Sequence, residues 1–198
     1  MNLENVQGSA YNVLALGASA GGHAAITAVL QQLPPDFSVP ILVIQHLAAD
    51  STTIDEFYRR LVPFSVEWVR RDSVLSPGLV LLCPPRSFVD LLPDGSFALS
   101  PNEQGTQNKP IDHLFESVAR SFGPQGIGVV LTGMGDDGAL GARALHLAGG
   151  KVLVQSESSA EFPSMPKAAI GAGAADLGAP VEDLGQVIGE IVAGAARP

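Results

Sequence analysis

Short apolar segments alternate with longer amphipathic segments along most of the chain. Residues 12–17 and 39–45 are continuous apolar runs flanked by glycine or proline, which is typical of strands buried in a parallel sheet. Between them, residues 22–33 carry apolar side chains at helical spacing and stop before Pro34 and Pro35. These segments predict one unit of strand, helix and parallel strand.

The predicted strands and helices in the middle of the chain are shorter. Residues 51–62 begin with candidate capping side chains and predict a second helix that ends at Pro63. Residues 64–100 divide into four short alternating pieces separated by Pro-Gly and Asp-Gly turns, which predicts a small antiparallel or edge section. A polar loop at 101–110 precedes a predicted helix at 111–122.

The last third of the chain repeats the order of strand, glycine-rich turn and helix found at its beginning. Residues 126–150 contain an apolar strand, a glycine-rich turn and a helix, followed by a strand at 151–155 and a closing helix at 181–196. This alternation predicts an α/β fold, doubly wound, with a mostly parallel sheet of about six or seven strands and helices on both faces. We expect one domain spanning residues 1–198, with the small antiparallel section attached.

Composition limits the range of partners. With 46% hydrophobic and 16% charged residues, the chain has enough aliphatic side chains for a core of packed α/β layers. The formal net charge of −9 argues against nucleic acid and against an anionic membrane surface as principal partner, because both attract basic patches. The pairs Arg59-Arg60 and Arg70-Arg71 are interpreted as solvated surface charge.

The single cysteine and the histidines indicate the cellular compartment and whether a metal site is expected. Cys83 is the only cysteine, so no disulfide forms within the chain, and a reducing cytoplasm is expected. No segment approaches the ~20 apolar residues of a membrane helix, so no membrane insertion is expected. The histidines show no metal-binding spacing, which predicts neither a metal nor another cofactor. His23, His113 and His146 are interpreted as structural or surface residues.

The turn GASAGG, residues 17–22, raises a choice between binding a phosphate and presenting a nucleophile. A dinucleotide site requires GxGxxG with an acid ending the next strand, but Ser19 replaces the second glycine and Gln45-His46 end that strand. No GK[ST] follows, which excludes a P-loop. The same turn matches GxSxG, the spacing that exposes a serine hydroxyl above a sheet. A serine that only caps the helix is the alternative.

Three chemically complementary residues follow three different predicted strands. Ser19 follows the first strand, His46 ends the second, and Asp136-Asp137 follow the strand at 126–131. Because parallel strands present their carboxyl ends at one edge, these side chains are expected to converge there as nucleophile, base and orienting carboxylate. A core role for His46 and a helix-capping role for either aspartate are the alternatives.

Six segments together carry a family resemblance: LALGASAGGHAAI, VLVIQHLA, PGLVLLCPP, KPIDHLFESVA, GVVLTGMGDDGALG and SMPKAAI. From about residue 11 to about residue 192, the chain resembles the catalytic domain of the chemotaxis protein-glutamate methylesterases, the CheB family. The resemblance implies hydrolysis of γ-glutamyl methyl esters on chemoreceptors to glutamate and methanol, with deamidation of receptor glutamines as a second activity.

The resemblance also implies specific roles. Carried over by motif, the nucleophile falls on Ser19, the histidine on His46 and the aspartate on Asp137, the second acid of GMGDDG. The oxyanion contacts fall on the backbone N–H groups of Ala20 and Met134. We expect Ala20 to begin a helix, whose free N–H groups favour a developing negative charge.

Several points depart from the family or compete with it. The family usually carries a receiver domain, but only about ten residues precede the first predicted strand here, so none is expected. The order Ser, His, Asp differs from the Ser, Asp, His order of α/β-hydrolases. A non-catalytic scaffold of the same fold and an esterase acting on a different protein are the alternative functions. Because of the net negative charge, recognition of an acidic receptor requires a local groove, for which Arg59 or Arg60 is a candidate.

Overall fold

A parallel sheet lies at the centre of the computed structural model, which describes residues 11–49, 51, 53–104 and 108–195. The strands in chain order are β1 (Val13–Ala18), β2 (Ile41–Gln45), β3 (Ser65–Trp68), β4 (Leu79–Leu82), β5 (Ser87–Leu91), β6 (Phe97–Pro101), β7 (Gly126–Val130), β8 (Lys151–Gln155) and β9 (Leu177–Ala179). Seven of them form the main sheet in the order β3-β4-β2-β1-β7-β8-β9, and every neighbouring pair is parallel.

Helices cover both faces of the main sheet. They are α1 (Gly22–Gln32), α2 (Ile54–Arg59), α3 (Pro110–Phe122), α4 (Ala139–Leu147), α5 (Ser164–Gly171) and α6 (Val181–Ala195). Along β1, Leu14 and Leu16 pack with α1, α2 and α6, whereas Val13 and Ala15 pack with α3, α4 and α5. The continuous apolar pattern of β1 therefore reflects burial on both sides, and the predicted doubly wound fold is confirmed.

The section between 64 and 100 contains both expected arrangements, an edge section and an antiparallel pair. The first two of its four pieces, β3 and β4, are parallel strands at the edge of the main sheet, with Val66 opposite Val80. Only β5 and β6 pair antiparallel, as a separate two-stranded sheet. Leu91 and Phe97 of this small sheet are buried against α3. A short strand has the same local pattern in either sheet, so tertiary pairing decided the direction.

Two elements were not predicted from the sequence, and one is shorter than predicted. Helix α5 and strand β9 are short and rich in alanine and glycine, which weakens their periodic signal. Helix α2 spans six residues rather than the predicted 51–62. The side chain of Thr53 forms no capping hydrogen bond at its start.

The strand order places the carboxyl ends of β1, β2 and β7 side by side. The chain leaves β1 toward β2, β4 and β3 on one side, and later enters β7 on the other side. Between β1 and β7 the strand order reverses, and open α/β sheets bind ligands outside the strand ends at such a point. Residues from three distant segments therefore meet at one edge of the sheet.

Helix α4 is held close to helix α3 by Gly141. A Cβ atom at this position would overlap the carbonyl oxygen of Asp112 and lie 2.7 Å from its Cα and 2.8 Å from Phe115 Cβ. The closest neighbours are backbone atoms of α3, which cannot move aside without moving that helix. The absence of a side chain at residue 141 therefore sets the spacing of the two helices.

Gly141→Ala is expected to lower the free energy of unfolding by about 1–3 kcal/mol, because the added methyl forces α3 and α4 apart. Gly194→Ala in α6 is the matched control, since a Cβ atom at that position would have no neighbouring atom within 4 Å. That control should leave stability unchanged or raise it by up to about 1 kcal/mol. Urea unfolding of the two variants measures both effects, and equal stabilities would contradict the packing argument.

Candidate active site

Ser19, His46 and Asp137 form one hydrogen-bonded chain at the carboxyl edge of the sheet. Ser19 Oγ lies 3.0 Å from His46 Nδ1, and His46 Nε2 lies 2.7 Å from Asp137 Oδ2. The side chains of His46 and Asp137 are only 12% and 5% exposed. The structure thus brings together the three residues that the strand ends had suggested.

Asp137 lies in the turn before α4 and is held by the beginning of helix α3. The backbone N–H groups of Ile111 and Asp112, in the first turn of α3, donate to Asp137 Oδ2 at 3.1 Å and Oδ1 at 2.8 Å. Helix α4 begins at Ala139, and its N-cap residue is Gly138, which has φ of 93° and forms no side-chain capping hydrogen bond. The capping alternative for Asp137 is therefore wrong for α4, and its carboxylate is fixed toward His46.

These contacts define the hydrogen-bonding roles of the imidazole. The carboxylate of Asp137 receives two backbone N–H groups and can only accept from His46, so Nε2 carries the proton. In the neutral imidazole, Nδ1 is then unprotonated and accepts from the hydroxyl of Ser19. This arrangement suits a base that removes a proton from a serine hydroxyl.

The turn carrying Ser19 is fixed by backbone contacts. Ser19 N–H donates to the carbonyl of Thr132 at 3.0 Å, and the N–H of Gly22 donates to the Ser19 carbonyl at 2.9 Å. Helix α1 begins at Gly22, after Gly21 with φ of 73° and no side-chain cap. The hydroxyl of Ser19 is therefore turned to His46 rather than to the helix. Ala20 lies in the turn before α1, which corrects the expectation that it begins the helix.

A second segment packs directly against the turn that carries Ser19. A Cβ atom at Gly133 would overlap Met165 Sδ and lie 2.8 Å from Ser19 Cβ. Thr132 Oγ1 donates to the carbonyl of Ala20 at 3.1 Å and accepts from Phe162 N–H at 2.8 Å. The turn after β7 and the residues before α5 thus hold the Ser19 turn from behind.

Ala20 and Met134 lie on these two facing turns. Neither backbone N–H has a hydrogen-bond acceptor among the residues that the structure describes. The side chain of Met134 is 63% exposed. A cavity of about 420 Å³ lies in front of the chain of hydrogen bonds and is lined by Ser19, His46, Lys109, Met134, Gly135, Asp136 and Asp137.

Lys109 is a residue of this site that the sequence did not single out. Its Nζ donates to Asp136 Oδ2 at 2.8 Å, and this hydrogen bond raises the pKa of the lysine. Lys109 has φ of 50°, a left-handed conformation, directly before Pro110 at the start of α3. Asp136 thus faces Lys109 at the surface while Asp137 faces His46. The only sequence signal was a basic residue before a proline that opens a helix.

The remaining candidates lie elsewhere. Arg59 pairs with Asp55 at 3.0 Å and also donates to the carbonyl of Val66, so it is engaged within the fold. Arg60 lines a separate surface cavity beside Phe57. Cys83 follows β4 and is buried, which raises the pKa of its thiol.

The other three histidines take part in contacts outside the hydrogen-bonded chain. His113 lies 2.9 Å from Asp90, His146 lies 3.5 Å from Asp176, and the His23 ring contacts Phe57. No cluster of three or more potential metal ligands occurs within the described part of the chain. Among the same residues, no helix has the length and apolar character needed to cross a membrane.

One protein-family model covers most of the chain. The family model described as CheB methylesterase matches residues 14–188. The chain belongs to the CheB methylesterase family. The predicted family is thereby confirmed over nearly all of the described residues.

Curated members of the CheB family are similar in sequence to this chain. A protein-glutamate methylesterase/protein-glutamine glutaminase of group 3 operon from Rhizobium meliloti (strain 1021) is 40% identical over 190 residues, covering 94% of this chain and 53% of the relative. A protein-glutamate methylesterase/protein-glutamine glutaminase from Moorella thermoacetica is 40% identical over 191 residues, covering 92% and 45%. The chain spans about half the length of these curated relatives.

A solved structure of a CheB domain supports the fold. The crystal structure of the Thermotoga maritima CheB methylesterase catalytic domain matches with a TM-score of 0.83 and 24% identity. The match covers 92% of this chain and 99% of that one. At this identity the likeness shows the shared fold of CheB catalytic domains.

Asp112 connects the CheB-type site to the packing of the helices behind it. Its backbone holds Asp137, and its Oδ1 accepts from the N–H of Gly141 at 2.8 Å. Its Oδ2 is buried without a hydrogen-bond partner and lies 4.0 Å from Lys109 Nζ. Burial raises the pKa of Asp112, and the nearby charge of Asp137 adds to this effect.

Asp112→Asn is expected to change how stability depends on pH. Because the folded pKa is raised above the ordinary 3.8, the contribution of Asp112 is fully present below that pH and is lost as pH rises through the folded value. The stability of the variant relative to the original chain should therefore increase between about pH 4 and pH 7. Urea unfolding across this range measures the trend.

Asp94→Asn provides a control of opposite sign. Asp94 accepts from the hydroxyl and N–H of Ser96, and these bonds lower its pKa. Because the folded pKa of Asp94 lies below the ordinary 3.8, the stability of Asp94→Asn relative to the original chain should fall slightly as pH rises toward about pH 4 and stay level between about pH 4 and pH 7. The same trend in both variants would contradict the assignment to burial of Asp112.

Proposed function

We propose that this chain hydrolyses γ-glutamyl methyl esters of chemoreceptors or related signalling proteins, giving glutamate and methanol. The hydrogen-bonded chain from Ser19 through His46 to Asp137 carries the proposal. Family membership and the names of the curated relatives supply the substrate class. Residues 1–198 would act as one catalytic domain in the cytoplasm.

The proposed first step is attack of Ser19 Oγ on the ester carbonyl carbon. As the C–O bond forms, the hydroxyl proton passes to His46 Nδ1, 3.0 Å away. The carboxylate of Asp137 stabilises the resulting imidazolium through Nε2. The C–O bond to the methoxy group then breaks, and methanol leaves with the proton returned by His46.

Water completes the cycle on the acyl-enzyme. His46 takes a proton from the water as its oxygen attacks the acyl carbon, and the proton passes to Ser19 Oγ as the serine leaves. The products are a glutamate side chain and the restored hydroxyl. The same two steps on a glutamine side chain would release ammonia, which is the proposed second activity.

The proposed oxyanion hole consists of the backbone N–H groups of Ala20 and Met134. Two observations support it: each belongs to a turn that packs against the other, and neither donates within the described residues. Pre-oriented donors stabilise the charge that develops on the carbonyl oxygen. Because the role belongs to the backbone, alanine at residue 20 meets it.

Ser19→Ala is expected to lower methanol release from a methylated receptor fragment by about 10⁴-fold or more, since the nucleophile is lost. Mass spectrometry of the esterified peptides measures the reaction as a loss of one CH₂ per converted glutamate. A serine-directed phosphonate should label the original chain at Ser19 and leave the variant unlabelled. Methanol release that survives the substitution would refute the proposed mechanism.

The adjacent aspartates provide a matched pair. Asp137→Asn should lower kcat by about 10⁴-fold, because the amide disturbs the imidazole tautomer. Asp136→Asn should lower it by less than about tenfold, because Asp136 contacts Lys109 at the surface and exposed ion pairs contribute little. Equal losses in the two variants would rule out the assignment of Asp137.

A further inference from the structure

A second cavity adjoins the candidate active site through His46. Its volume is about 270 Å³, below the ~300–1,000 Å³ of sites that enclose whole small molecules. The volume suits a single side chain of a larger substrate. Its lining includes His46, Cys83, Arg86, Ser87, Asn102 and Gln104.

Arg86 occupies an unusual backbone conformation in the wall of this cavity. Its φ of 54° lies in the left-handed region, and among the described residues only Lys109 is another non-glycine residue with positive φ. The carbonyl of Arg86 accepts from the N–H of Asn102 at 2.8 Å, and Asn102 is only 2% exposed. Such strained residues cluster at ligand sites, where the surrounding contacts hold them in place.

The guanidinium of Arg86 also has no carboxylate partner among the described residues. Within the described parts of the chain no carboxylate lies within ion-pair distance of it, whereas Lys109 contacts Asp136 and Arg59 contacts Asp55. This occurs in a chain that carries 20 acidic and 11 basic residues. An exposed arginine at a cavity wall presents a planar set of donors that matches a carboxylate.

We propose that Arg86 forms a carboxylate-binding subsite, which takes an acidic side chain of the protein substrate near the esterified glutamate. The inference rests on the proposed esterase function and adds a preference among its substrates. The cavity and the site share His46, so a peptide whose ester group meets Ser19 passes beside Arg86. A local cation offsets the repulsion between an acidic substrate and a chain of net charge −9.

The test compares two synthetic peptides that each contain one γ-methyl glutamate. In one the flanking residues are glutamates, and in the other they are methionines, which are similar in length, uncharged and not hydrolysed. The measured quantity is the ratio of kcat/KM for the acidic peptide to that for the neutral one. Arg86→Gln should lower this ratio about tenfold, mainly through KM, and Arg86→Lys should lower it less.

Arg143→Gln is the control for net charge. Arg143 is exposed on α4 and lines none of the cavities beside His46, so its loss should leave the ratio unchanged. An equal fall in the two variants would overturn the subsite, because it would reflect overall charge. An unchanged ratio in Arg86→Gln would overturn it as well.

A binding measurement separates this inference from the esterase proposal. Fluorescence anisotropy gives the Kd of both labelled peptides for Ser19→Ala and for the double variant Ser19→Ala/Arg86→Gln. Preferential binding of the acidic peptide that depends on Arg86 supports the subsite even if neither peptide is hydrolysed, an outcome that would refute only the esterase function. Equal binding of both peptides to Ser19→Ala would refute the subsite alone.

Discussion

The site depends on one contact between a helix and a turn: the beginning of α3 holds the carboxylate of Asp137. Two backbone N–H groups, from Ile111 and Asp112, converge on its two oxygens. A helix N-terminus has unpaired N–H groups and a positive end of its dipole, so a carboxylate is a favourable partner there. The same contact satisfies the helix and aims Asp137 at His46.

This contact requires close approach of three backbone segments. A Cβ atom at Gly17 would lie 2.6 Å from Ile111 Cγ2, and a Cβ atom at Gly138 would lie 2.9 Å from the same atom. Glycine at the end of β1 and glycine at the start of α4 therefore allow α3 to approach both. Any side chain at these positions would push α3 away from the carboxylate it holds.

Two basic residues lie beside His46 in a chain that is acidic overall. The described non-glycine residues with left-handed backbone are Arg86 and Lys109, and both are cations beside His46. Lys109 is compensated by Asp136, whereas Arg86 faces an open cavity. Among the described residues, Arg86 thus adds one uncompensated positive charge beside the candidate site in a chain of net charge −9, which supports the proposed selection of acidic substrates by a local contact.

The sequence by itself determined the order of strands and helices and the residues that end the strands. Apolar runs and helical spacing are local properties, so the strands carrying Ser19 and His46 were predictable, and the parallel sheet implied their convergence. The partner of Asp137 was not predictable, because the donors come from a helix some 25 residues away. The direction of β3 and β4, the position of Ala20 in the turn before α1 and the left-handed conformation of Arg86 were also decided by tertiary contacts. Hydrogen bonds between distant segments and the space left by glycines exist only once the layers have packed, and no local pattern records them.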